Sequence, residues 1–253
     1  MSGTATQEAA LRQLSQLGPG LLAEPLALEG VPDDIHALSI RFDLDRDIDP
    51  SWLGMASAAE RARAERFVQA RDRIRFLGCR AALRITLGTL LGVAPEAVAI
   101  ATSRDGRPEL AVAGPRPVDF NLSHSAERGL IVWSAPRRVG VDVEHIDTAF
   151  DWRELGHLVF GRDDRQRVES CAGEARARLS YEIWSTKEAV LKADGSGLTA
   201  GLTDFSIRDG RVALDETATG PRARRLPGYR TRAIPVAPGY AAAIAWSDEP
   251  GSP

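Results

Sequence analysis

Apolar and polar residues alternate along HALSIRFDL, residues 36–44, and a period of two predicts a strand. The same reading makes strands of AVAIATS (97–103), VDFNLS (118–123), GLIVWSA (129–135) and VGVDVEHI (139–146). Helical spacing governs other stretches. A short helix is expected from Glu8 to Leu17, before a Gly/Pro-rich lead-in. Ser57 with Glu60 three residues on forms a capping box ahead of SAAERARAERF. Ile74, Leu77, Ala81, Ile85 and Leu87 set one face of a helix from about Asp72 to Leu91. DWRELGHLVF reads as helical. A polar helix over 162–178 and a longer one over 178–193 follow, the latter stopped by Gly195. RDGRP is a turn, DFSIRDGRVAL is a hairpin about Asp-Gly, and YRTRAIPV and GYAAAIAW close the chain as strands.

Each half thus offers strands, a long helix and more strands. This predicts an α+β fold of two similar subdomains meeting near residue 136. The expected organisation is a leader over 1–34, one half over 35–136 and a second over 137–253.

Composition narrows the function. A net charge of −3 gives no bulk attraction for nucleic acid or an anionic membrane. No run approaches the length of a membrane helix. The N-terminus makes a poor signal peptide. Cys79 and Cys171 lack metal or redox spacing and are expected to be reduced, inert thiols in a cytoplasmic protein.

Three stretches carry candidate chemistry. In GVDVEHID, Asp142 and Glu144 are two apart and share one strand face. Two like charges there repel, and a divalent cation held by hard oxygens would remove that cost. The alternative is a harmless solvent-exposed pair. In WSTKEAVLKADGSGL, Glu188 and Lys192 stand one helical turn apart. Of the 32 lysine and arginine residues only Lys187 and Lys192 are lysine. A compact ammonium on a flexible stem suits a phosphate oxygen; a surface ion pair worth about 0.3–0.5 kcal/mol is the bland reading. In FNLSHS, Ser123 and His124 are able to donate to an anion. Being adjacent on a strand they face opposite ways, which argues against a nucleophile–base pair. The arginines from Arg61 to Arg84 form a solvated face or meet phosphate, with Arg71 and Arg75 one turn apart and able to converge.

Together these motifs, with DGRP upstream of FNLSHS, resemble the 4'-phosphopantetheinyl transferases of the monomeric surfactin-synthetase-activating type, from about Ala58 to Ile207. The resemblance implies an enzyme with two halves about a pseudo-twofold axis and a cleft between them. It implies transfer of the phosphopantetheine arm of coenzyme A to a serine of an apo acyl or peptidyl carrier protein, releasing adenosine 3',5'-bisphosphate. Such enzymes need Mg²⁺ and serve fatty-acid, polyketide or nonribosomal-peptide synthesis. By position, Asp142, Glu144 and Glu188 match the metal carboxylates, and Glu188 and Lys192 the catalytic pair. Ser123, His124, Arg75, Arg107, Lys192 and, more loosely, Arg61 and Arg63 match coenzyme A contacts. Carrier contacts are expected from Phe150 to Phe160. Phe160 is followed by Asp164 where the family often has glutamate. A Mg²⁺-dependent phosphohydrolase or nuclease on the same carboxylates, and a non-catalytic coenzyme A-binding scaffold, are the competing readings.

Overall fold

A computed structural model describes residues 3–104, 106–111, 118–197, 201–216, 218 and 224–251. It opens with helix α1 (Gly3–Leu14) and strand β1 (Leu21–Pro25). From there one path is traced twice. The first half runs through β2 (Ile35–Phe42), the short helices α2 (Pro50–Met55) and α3 (Ala58–Glu65), and the long α4 (Ala70–Leu91). The ribbon β3 (Ile100–Thr102) and β4 (Pro108–Leu110) follows, then β5 (Asp119–Ser125) and β6 (Arg128–Ser134). The second half runs through β7 (Val139–His145), α5 (Trp152–Val159), α6 (Arg162–Glu169) and the long α7 (Gly173–Asp194). The hairpin β8 (Phe205–Arg208) and β9 (Arg211–Leu214) follows, then β10 (Tyr229–Ala233) and β11 (Tyr240–Ser247).

The sheets repeat the same pairing. The first has the order β1-β2-β6-β5 and the second β7-β11-β10-β9-β8, antiparallel throughout. β2 pairs with β6 as β7 pairs with β11. Both long helices have 22 residues and end at a left-handed glycine, Gly92 and Gly195. This is the α+β fold of two pseudo-twofold-related halves, dividing between Ser134 and Val139.

The alternation of each central strand explains the layering. In β2, Leu38, Ile40 and Phe42 join a core with Leu77, Leu83 and Ile85 of α4. Ile35 and Ala37 point the other way, into a second core with Leu130, Val132, Val139, Val141 and Ile244 from both sheets. Ala243 and Ala245 of β11 meet Val190 and Leu191 of α7 in a third. The sheets therefore pack face to face, each with its long helix outside. Each large side chain so buried contributes about 1.5–3 kcal/mol.

Local signals are realised where their chemistry is local. Ser57 and Glu60 form the capping box of α3. Asp209 and Gly210 both have positive φ, 50° and 71°, as a two-residue type I′ hairpin turn requires. Cys79 is buried, and burial pushes its thiol up to about 12, so it is inert. Among the described residues no helix is long and apolar enough to cross a membrane.

Three expectations are corrected. The segment over 1–34 is not a free leader: Leu14, Leu17 and Leu21 are core residues, and β1 pairs with β2 from Leu21 against Phe42. The polar helix over 162–178 breaks after Glu169, and α7 begins at Gly173, whose φ of 55° marks the change of direction. In AVAIATS only Ile100–Thr102 is strand; Pro95–Ala97 make a single 3₁₀ turn. Asp105 of the DGRP turn and Leu198 after DGSG lie outside the described residues.

Candidate active site in the cleft

The two sheets present β5 and β7 to each other as edge strands. Side chains of β5 take the place of a backbone ladder. Asp119 accepts from the amide of Val139 at 2.7 Å, Asn121 from Val141 at 3.2 Å and Ser125 from His145 at 3.0 Å, each 20 residues further along. The period of two in DFNLSHS aims these polar groups at β7. It also separates Ser123, which is buried, from His124, which keeps an exposed face.

On β7, Gly140, Asp142 and Glu144 alternate with core valines and face α7. The glycine sets the distance. A Cβ on Gly140 would collide with the carbonyl of Ala189 and the amide of Ala193, two small residues one turn apart on α7. This close approach brings Glu188 and Lys192 against Asp142. Gly140→Ala is therefore expected to force α7 off β7. It should cost about 1–3 kcal/mol of stability and reduce turnover further than the unfolded fraction explains. Urea denaturation beside a rate measurement at low temperature checks this; a variant with unchanged midpoint and rate would refute it.

Lys192 donates to Asp142 Oδ1 at 2.6 Å and to Ser123 Oγ at 3.0 Å, and Ser123 donates to the same Asp142 oxygen at 2.9 Å. Ser125 donates to Glu144 Oε2 at 2.9 Å. Trp184, one turn before Glu188, stands close enough to Glu144 to favour its ionised form. Burial alone would push the Lys192 ammonium down; the charges of Asp142, Glu188 and Glu144 outweigh it, and the net shift is upward. Burial pushes Glu144 up to about 7, helped by Asp142 and opposed by Ser125 and Lys192. Burial also raises Glu188 to about 7, opposed by Lys192 and helped by Asp142 and Glu144.

Asp142 Oδ2 and Glu188 Oε1 are buried and accept no hydrogen bond among the described residues. Unsatisfied carboxylate oxygens in a crowded anionic cluster are a donor set that fits a hard divalent cation. The expected three-carboxylate set is nonetheless not disposed as an ion cage: no three His, Cys, Asp or Glu side chains have that arrangement among the described residues. In this conformation the ammonium of Lys192 is the cationic partner of Asp142.

The raised carboxyls have a measurable consequence. Glu144 and Glu188 bind protons more tightly folded than unfolded, so their contribution to stability is full below pH 4.5 and lost as pH rises through about 7. With a chelator present, stability is expected to decline by on the order of 1–3 kcal/mol between about pH 5 and pH 8. Glu188→Gln should flatten the decline. Stability that rises over this range, or an unchanged slope in the variant, would contradict it.

A cavity of about 230 Å³ opens beside this cluster, lined by Arg107, Asn121, Glu188, Leu191 and Lys192. Larger cavities of about 440 and 730 Å³ lie away from the carboxylates; the second is lined by Phe150, Trp152, His157 and Phe160.

The coenzyme A contacts implied by resemblance divide into two groups. Arg75 donates to the Ala126 carbonyl at 3.2 Å, beside His124. Burial, then Arg75, Lys192 and Arg80, push the His124 imidazole down to about 4, so it is neutral among cations. Arg63 and Arg80 stand over the Phe76 ring at 5.2 and 5.4 Å. These groups form a cationic rim above β5. Arg80, within the arginine run left open between a solvated face and phosphate contact, is buried and lies 3.6 Å from Glu60. Arg61 donates to the carbonyls of Leu53 and Ala56. Arg71 does not converge with Arg75: it pairs with Asp45 at 2.8 Å, and Arg75 with Asp72. Arg107 is buried, with its terminal nitrogens spent on protein acceptors.

Lys187 and Asp164 find their roles together. Lys187 is fully buried, pairs with Asp164, and donates to the carbonyls of Val159 at 2.9 Å and Leu202 at 2.7 Å. It binds α7 to the end of α5 and the start of α6, away from the cleft.

Residues 138–245 match the family model of the 4'-phosphopantetheinyl transferase superfamily, and residues 50–135 match the N-terminal model of 4'-phosphopantetheinyl transferases. A putative 4'-phosphopantetheinyl transferase of Synechocystis is 37% identical over 158 residues, 62% of this chain and 64% of that protein. The 4'-phosphopantetheinyl transferase HetI of Nostoc is 31% identical over 190 residues, 74% of this chain and 78% of that one. The 4'-phosphopantetheinyl transferase psf-1 of Bacillus pumilus is 32% identical over 165 residues, 62% and 67% of the two chains. The match thus spans just under two thirds of the Synechocystis protein.

Proposed function

The chain belongs to the 4'-phosphopantetheinyl transferase superfamily, and on that premise we propose that it transfers the 4'-phosphopantetheine arm of coenzyme A to a serine of an apo carrier protein. The observation that carries the reading is the apposition of Asp142, Glu144, Glu188 and Lys192 across the β7–α7 contact that Gly140 allows. A site of three carboxylates and a mobile ammonium beside a cationic rim suits a pyrophosphate substrate, not a neutral one.

In this reading Asp142, Glu144 and Glu188 would hold Mg²⁺. The ion, when bound, supplies positive charge that offsets the pyrophosphate and the developing leaving group. Lys192 turns from Asp142 to a phosphate oxygen, a movement its flexible stem permits. Arg75, Arg63, Arg80 and His124 take the nucleotide phosphates. The carrier serine oxygen bonds to the β-phosphorus of coenzyme A, the pyrophosphate P–O bond breaks, and adenosine 3',5'-bisphosphate leaves. Glu188 takes the serine proton, the role that the family resemblance implies for it.

The carrier meets the second half beside Phe150, Trp152 and Phe160, where Phe150 and Leu158 are exposed. The side chains of 153–155 lie outside those described. Incubation with coenzyme A, Mg²⁺ and a panel of apo acyl and peptidyl carriers tests the proposal. One carrier gaining the arm, with matching release of the bisphosphate, supports it and identifies the pathway. Free phosphate or cut nucleic acid with every carrier unmodified would favour a hydrolase instead.

A further inference from the structure

We propose that Arg107, locked by Asp119, is a positioning residue that fixes where Lys192 presents its ammonium. The resemblance assigned Arg107 to the nucleotide; the structure gives it other partners. Its Nη1 donates to the main-chain carbonyl of Lys192. Its Nη2 lies 2.6 Å from Asp119 Oδ2, 2.9 Å from the Phe120 carbonyl and 3.2 Å from the Val139 carbonyl. Arg138 completes the arrangement: its Nε donates to the Ala193 carbonyl at 3.2 Å, and its Nη1 lies 3.4 Å from Asp119 Oδ1. One carboxylate therefore holds two guanidinium groups, each on a carbonyl of the last turn of α7.

The physics favours this arrangement. The last carbonyls of a helix lack intrahelical partners and carry the negative end of its dipole, so cations there are complementary. Arg107 also grips the first residue of β7. The end of α7 and the start of β7 are thus fixed to one another through a residue of the first half. Lys192 and Asp142 lie on these two elements, 2.6 Å apart. Removing the grip frees the turn that carries Lys192 and leaves the rest of α7 seated by the buried Lys187. The inference rests on the proposed function only for the importance of Lys192 to transfer; its test does not require turnover.

Lysine labelled with ¹³C at Cε reports on it, because the chain has only Lys187 and Lys192 and so gives two resonances. Loss of one signal in Lys192→Gln assigns them. In Arg107→Met the Lys192 resonance is expected to move toward the free-lysine position while that of Lys187 stays. Asp119→Asn, which keeps an acceptor for the Val139 amide, should move it part of the way. Transfer should fall about tenfold or more in Arg107→Met, the scale of a lost buried charged hydrogen bond. Two unmoved signals in both folded variants overturn the proposal. So does a joint shift of both lysines in Asp119→Asn, since Arg107 would then only hold the fold. A failure of the proposed function appears elsewhere, as a lack of transfer by the unaltered protein with both lysine signals as assigned.

Discussion

Glu188→Gln is expected to lose transfer activity by roughly 10²–10⁴-fold while the protein stays folded, the range removed with a general base. The amide is nearly isosteric, so Trp184, Ala189 and the β7 contact keep their places. It cannot accept a proton and is a poorer ligand for a hard cation. The same change relieves a cost. Glu188 is buried, one oxygen accepts no hydrogen bond among the described residues, and burial pushes its carboxyl up to about 7. The variant should therefore be more stable than the unaltered protein at about pH 8 and similar at about pH 5. Rate and denaturation midpoint moving in opposite directions mark a group retained for chemistry at the expense of stability. A rate within a few-fold of the original would remove Glu188 from the mechanism.

Lys187→Ala is expected to have the largest effect on the fold. Lys187 and Asp164 are 0% and 1% exposed. Deleting the lysine leaves a buried carboxylate, and two carbonyls lose their donor. Breaking a buried pair from one side costs about 3–5 kcal/mol. Exchanging both partners for apolar residues of similar size, Lys187→Met with Asp164→Leu, should recover much of that loss, because no charge remains buried. Urea denaturation of the single and double variants measures both terms. If the single variant keeps its midpoint, the pair contributes nothing. Lys187→Arg is also expected to destabilise the fold, since a guanidinium does not fit an ammonium site with no exposed surface.

These two residues show where the sequence was legible. Features whose partners lie within a few positions were readable: the Ser57–Glu60 box, the Asp209–Gly210 turn and the alternation that divides Ser123 from His124. The shared face of Asp142 and Glu144 followed from strand period, and that of Glu188 and Lys192 from helix period. The spacing also put Lys187 about 100° from Glu188, which is why it points away from the cleft. What it meets there was not readable. Arg107 and Lys192 are 85 positions apart, and the β5–β7 seam joins residues 20 apart through side chains instead of a backbone ladder. Gly140 belonged to a recognised motif, but its reason, the close approach of Ala189 and Ala193, exists only once α7 lies on β7. The break at Ser170–Ala172 was expected later, near 178, because arginine and glutamate flank the short Ser-Cys-Ala-Gly stretch on both sides; Gly173, with its positive φ, is the local signal that marks it.

The central claim is that the carboxylates and ammonium gathered on β7 and α7 carry out phosphopantetheine transfer. Its most direct test is the intact mass of an apo carrier after incubation with coenzyme A and Mg²⁺, using the unaltered protein and Asp142→Ala side by side. The account predicts a carrier heavier by the phosphopantetheine arm, with one bisphosphate released per carrier, in the first case and an unchanged carrier in the second. An equally modified carrier from folded Asp142→Ala would contradict it.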